Sequence, residues 1–142
     1  MPKTLDWEQW EHDVQGALGL DATICSGNKW NDIGDATDNT PPSDNSFRLL
    51  VDCKFTKHMS YSVVGRAMRR WINTGTEHGK RSILALRFWP YDQNSPDDFV
   101  VIGMDDFAEL LAKAKEADLV KQVKAAVDPT YLEREEYRRS WF

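Results

Sequence analysis

The stretch Phe47–Thr56, FRLLVDCKFT, decides how the chain is read. Leu49, Leu50, Val51 and Phe55 favour a buried strand, yet Asp52 and Lys54 interrupt the run. Side chains alternate along a strand, so Arg48, Leu50, Asp52, Lys54 and Thr56 share one face. Leu49, Val51, Cys53 and Phe55 share the other, and that apolar face is complete. Asp52 and Lys54 then sit side by side on a face read as free of packing, close enough to serve one site.

Upstream, residues 27–46 are rich in Gly, Asn, Asp, Pro, Ser and Thr, which predicts turns. A short strand fits around Ile33–Thr37, and DATICS (Asp21–Ser26) is strand-like. Trp7, Trp10, Val14, Ala17 and Leu18 recur at helical spacing and predict a helix over 5–19, ended by Gly19. Downstream, Val64, Ala67, Met68, Trp71 and Ile72 make the apolar stripe of a helix over Ser62–Gly75, with Arg66, Arg69 and Arg70 off it. SILALRFW (Ser82–Trp89) is a near-continuous apolar run, as a central strand requires. FVVIGM (Phe99–Met104) is another strand. A helix follows from Asp105 or Asp106, with Asp106 and Glu109 spaced as a capping box. It reaches Val127, with Asp118 a place for it to break, and a further helix starts after Asp128-Pro129. These elements predict one domain over 1–142: an α/β fold with a small mixed sheet, the strands after the first helix joined as hairpins, flanking helices, and extra C-terminal helices over 105–142.

The 142 residues carry a net charge of −5, which by itself disfavours a polyanionic partner. The distribution reverses that. Residues 1–52 hold 3 basic and 10 acidic side chains, residues 53–90 hold 8 and 1, and residues 91–142 hold 7 and 12. A basic middle between acidic flanks provides a local field for nucleic acid. No apolar run approaches the length of a membrane span, and MPKTLDWEQW is too acidic and polar for a signal peptide. Cys25 and Cys53 form no CxxC pair and no cluster with histidine, so a zinc site is not expected and a reducing cytoplasmic setting is.

Asp52 alone is a poor Mg²⁺ site, because that ion is octahedral and takes several oxygens. Asp35 and Asp38 in DIGDATD (Asp32–Asp38) are candidates to join it, as are Glu8 and Glu11 on the first helix. Glu11 lies nearer the apolar stripe than Glu8, which favours it. Asp35 stands between Gly34 and Ala36, where small neighbours allow close approach. Tyr61 and Trp30, in loop contexts, are the candidates for stacking on bases.

The order of helix Glu11, Ser26-Gly27-Asn28, Asp35, Asp52-Cys53-Lys54, the basic helix and HGKRSILALRF resembles the PD-(D/E)XK nuclease superfamily. Within it, the chain is most similar to archaeal and phage Holliday junction resolvases. The resemblance covers about Leu5–Met104. Gly34 stands where the family name has proline, and Asp52 where Glu is more usual. The resemblance implies a restriction-endonuclease-like core over about 5–104 and Mg²⁺-dependent hydrolysis of DNA, with Mn²⁺ able to substitute. Glu11, Asp35, Asp52 and the Cys53 backbone carbonyl would ligate metal. Lys54 would orient the attacking water or stabilise developing charge, and Ser26 would help place the phosphate. Lys29, Lys57, Arg66, Arg69, Arg70, Lys80 and Arg81 would grip the DNA backbone. The implied protein is a homodimer that nicks four-way junctions in pairs, in recombination and repair, located in the cytoplasm or, for a phage protein, the host cytoplasm. Two alternatives stand beside it: a restriction- or repair-type nuclease on duplex or flap DNA, and an inactive DNA-binding module of the same fold.

Overall fold

The computed structural model describes residues 6–23, 34–43, 46–128 and 130–139. The chain forms two compact units, Met1–Gly103 and Met104–Phe142. The first contains α1 (Asp6–Leu18), β1 (Asp21–Ala22), β2 (Ala36–Thr37), β3 (Leu49–Thr56), α2 (Gly65–Glu77), β4 (Arg81–Phe88) and β5 (Asp97–Ile102). The five strands make one mixed sheet in the order β1-β2-β3-β4-β5. The β1–β2, β2–β3 and β4–β5 pairs are antiparallel. The β3–β4 pair is parallel and crosses over through α2. The fold is therefore α/β, with helices flanking a mixed sheet, and the three strands after the first helix are antiparallel neighbours, as the hairpin reading expects. Parallel neighbours need a crossover, and the α2 segment supplies it. Of the two strands expected upstream, residues 24–26 and Ile33 lie outside the described residues.

Both faces of the sheet are packed. On one, Val51, Ile83 and Ala85 are buried against Trp10 and Val14 of α1, with Cys53 and Phe55 alongside. The Trp10 indole N–H donates to the Ala85 carbonyl at 3.2 Å, so the ring is buried with its polar atom satisfied. Trp7 and Leu18, on the predicted stripe, remain exposed. Gly19 follows the helix with φ +64, the left-handed turn that ends it.

The other face carries Leu50, Ser82, Leu84 and Leu86, all buried, together with Asp52 and Lys54. The face read as free of packing is instead covered in part by α2. The Ser82 hydroxyl donates to the Trp71 carbonyl at 2.6 Å, and the Trp71 indole N–H donates to the Ile83 carbonyl at 2.9 Å. The helix comes so close near its C-terminus that a Cβ on Gly75 would lie 2.0 Å from Ser82 Oγ. With both faces covered, Ser82–Arg87 of β4 are buried throughout, which is why that segment reads as a near-continuous apolar run.

Arg87 is the exception in that run, and it clamps three elements. Its guanidinium donates to Asp13 of α1 at 2.7 Å and to both Asp98 oxygens of β5 at 2.8 and 2.9 Å. It also lies 4.4 Å from the Trp10 ring. The buried charge is paired on both sides, which makes its burial tolerable.

The second unit is α3 (Met104–Val127) followed by α4 (Tyr131–Arg139). The 24-residue α3 runs through Asp118 without a break. It starts before the predicted capping box, so Asp105 and Asp106 lie inside its first turn, where acidic residues suit the helix dipole. No described residue of α3 is buried.

Candidate active site

The site is built where the sheet stops. β2 is only two residues long and pairs Ala36 with Val51 and Thr37 with Leu50. Beyond that, the Asp35 N–H still donates to the Val51 carbonyl at 2.8 Å. At the next position, side chain replaces main chain: the Asp35 carboxylate accepts the Cys53 N–H at 2.7 Å. Asp35 thus fills the place of the next rung and is held rigidly against β3. In a strand, the N–H and C=O of one residue point to the same side, so the Cys53 carbonyl faces this edge too.

The turn into Asp35 depends on Gly34. Its φ is +87, and a Cβ there would lie 3.0 Å from both the Trp71 ring and the Val51 carbonyl oxygen. Proline holds φ near about −65° and does not fit this backbone.

Three carboxyls meet at the edge. Asp35 is within hydrogen-bonding reach of both Glu11 and Asp52. Burial first, and then the Asp35 charge, push Glu11 up to about 7, with Glu8 and Asp52 adding to the effect. Burial also pushes Asp52 up to about 6; its 3.3 Å ion pair with Lys54 works against this, and Asp35 works with it. Burial opposes the charge on Lys54, but the Asp52 carboxylate outweighs it and holds the ammonium above its ordinary value. Burial, then the same carboxylates, raise the Cys53 thiol, which stays an inert packing group.

The candidates left open by sequence separate here. Glu11 adjoins Asp35 and Asp52, whereas Glu8 reaches the cluster through its effect on Glu11. The Asp38 carboxylate is taken up by the Thr40 N–H and hydroxyl at 2.9 and 2.7 Å. Among the described residues, no three His, Cys, Asp or Glu side chains stand as a ready-made metal shell. The donor chemistry nevertheless fits a hard cation. Three carboxyls crowd one partly buried edge, and two of them are pushed toward protonation in part by their neighbours' charge. A divalent ion relieves that repulsion.

The basic residues do not form one cluster. Arg66, Arg69 and Arg70 are exposed on the side of α2 away from the sheet. Lys57, three residues past Lys54, pairs with Asp6 at 3.0 Å and lies 4.7 Å from the Tyr91 ring. Arg81 pairs with Leu49, about 10 Å along the strand from Asp52, and the Lys80 ammonium bonds the Thr37 hydroxyl. Ser26 and Lys29 lie outside the described residues.

Beside Asp52 and Lys54 is a cavity of about 260 Å³ between the sheet and the first two turns of α2, lined by Tyr61, Val64, Ala67, Met68 and Trp71. Its α2 residues are the helical stripe expected to be core. The sequence signal is ambiguous because the same spacing serves a packed face and a pocket wall. Among the described residues, no helix is long and apolar enough to cross a membrane. Comparison with family models, with curated proteins and with solved structures found no match.

Proposed function

We propose that this chain is a divalent-metal-dependent DNA endonuclease with a restriction-endonuclease-like core, acting as a homodimer on branched DNA. The convergence of Glu11, Asp35 and Asp52 beside Lys54, at the edge of β3 past its pairing with β2, carries the reading. Glu11, Asp35 and Asp52 would hold Mg²⁺, or Mn²⁺ in its place, with the Cys53 carbonyl as a further oxygen. When bound, such an ion polarises a phosphoryl oxygen and lowers the pKa of water.

The chain's own residues divide the remaining work. Asp35, locked to the Cys53 N–H, fixes the position of the carboxylate group. Lys54 keeps its proton, so its role is a fixed positive charge toward the scissile phosphate rather than a base. The α2 arginines hold flanking phosphates, which orients the DNA without reading its sequence. One such site cuts one strand, so paired nicks across a junction call for two copies.

The test is cleavage of labelled four-way junction, flap, duplex and single-stranded DNA with Mg²⁺, beside Asp52→Asn. Paired junction nicks that disappear in the variant are expected. Equal cutting of every substrate overturns the junction reading, and tight binding with no cutting in Mg²⁺ or Mn²⁺ overturns the enzyme.

A further inference from the structure

Asp52 and Lys54 form one wall of the cavity that adjoins the carboxyl cluster. Apart from Ser62, the remaining wall is apolar and aromatic, with Tyr61 and Val64 before α2 and Ala67, Met68 and Trp71 on it. Trp71 is immobilised by its indole bond to the Ile83 carbonyl at 2.9 Å, so the wall is preformed. At about 260 Å³ the space falls just below the range of about 300–1,000 Å³ usual for small-molecule sites. It suits a single heterocycle and excludes a base pair. Tyr61 and Val64 are 36% and 59% exposed, which leaves the mouth open.

Resting on the nuclease reading, we propose that this cavity receives one unstacked nucleobase next to the scissile phosphate. An occupant must present a phosphate to Lys54 and, within one nucleotide's length, a flat apolar ring to Trp71, Tyr61 and Met68. A nucleotide has both parts in that order. Aromatic walls hold any base by its π-face, and the thioether of Met68 adapts to its outline. Stacked duplex cannot offer the base. Branch points, flaps and single strands can, so the cavity selects a substrate class by the ease of unstacking, without reading sequence.

The test compares cutting of a four-way junction carrying either a normal nucleotide or an abasic analogue at each position flanking the mapped cut. Wild-type protein with Mg²⁺ is expected to cut the abasic substrate about tenfold more slowly at one of those positions. Ala67→Phe, which fills the cavity, and Val64→Trp, which blocks its exposed rim without entering the core, are expected to cut both substrates at one equally reduced rate. Wild-type cutting that ignores the missing base, or Val64→Trp that retains full rate and preference, overturns the pocket and leaves the nuclease standing. If Val64→Trp keeps the preference but changes the oligomeric state, the cavity belongs to a protein interface and the inference is wrong. Failure of wild-type protein to cut or bind any DNA overturns both readings together.

Discussion

At the scale of single residues, Asp35 and Lys54 are held by different forces, and their variants should fail differently. Lys54 contributes charge, so Lys54→Ala is expected to slow DNA cleavage by about 10²–10³-fold, the usual cost of losing one electrostatic stabiliser. Gel-based rates at saturating protein measure it, with binding retained. Asp52→Asn should abolish cutting. The carboxyl cluster makes a second prediction that needs no substrate. On the proposed reading the carboxyls hold Mg²⁺ only in the folded arrangement, so the ion should raise the melting temperature of wild-type protein but not of Asp52→Asn, in thermal scans with and without chelator. In chelator at pH 8, Glu11→Gln should melt higher than wild type, because it removes one charge from three crowded carboxyls. Asp52, Lys54, Glu11 and Asp35 were all visible in the sequence as candidates. The helical stripe already favoured Glu11 over Glu8, and small neighbours favoured Asp35; what could not be read there was that the Asp38 carboxylate is taken up by Thr40 and that of Asp35 by the Cys53 N–H.

At the scale of elements, α2 lies beside the carboxyl-bearing edge and closes on the sheet. Gly75 allows that closure, so Gly75→Ala should destabilise by about 1–3 kcal/mol through overpacking against Ser82, measured by denaturant unfolding. The solvent face of the same helix makes a prediction on binding. Arg66→Ala, Arg69→Ala and Arg70→Ala together should flatten the dependence of log affinity on log salt, by about 0.9 for each phosphate the arginines neutralise in the wild type. The helix itself was legible from its apolar spacing, displaced by two or three residues at its ends. Its consequence was not. Parallel pairing of β3 with β4 makes α2 a crossover lying over Asp52 and Lys54, and alternation within FRLLVDCKFT cannot show what a later segment places on either face.

At the scale of the whole molecule, Arg87 joins α1, β4 and β5 and should set the acid limit of the first unit. Burial opposes ionisation of Asp13, but hydrogen bonds from Gln9 and Arg87 outweigh it and hold the carboxyl below its ordinary 3.8. A carboxyl lower in the folded chain stabilises above its unfolded value and loses that contribution as pH falls through the folded one. Wild type should therefore lose melting temperature below about pH 4 more steeply than Asp13→Asn, which starts lower at neutral pH. For the proposed dimer, mixing wild type with Asp52→Asn should convert paired junction cuts into single nicks. The sequence by itself determined the elements: hydrophobic periodicity is local, so helices and strands show in any window that spans a turn or two. It also determined the roster of acidic and basic groups. Only the tertiary structure decided that β2 ends after two residues, that Asp35 takes over the next rung of β3, and that a base-sized cavity opens beside Lys54. Each of these arises from packing between segments distant in the chain, where contact depends on register and crossover and leaves no periodic trace.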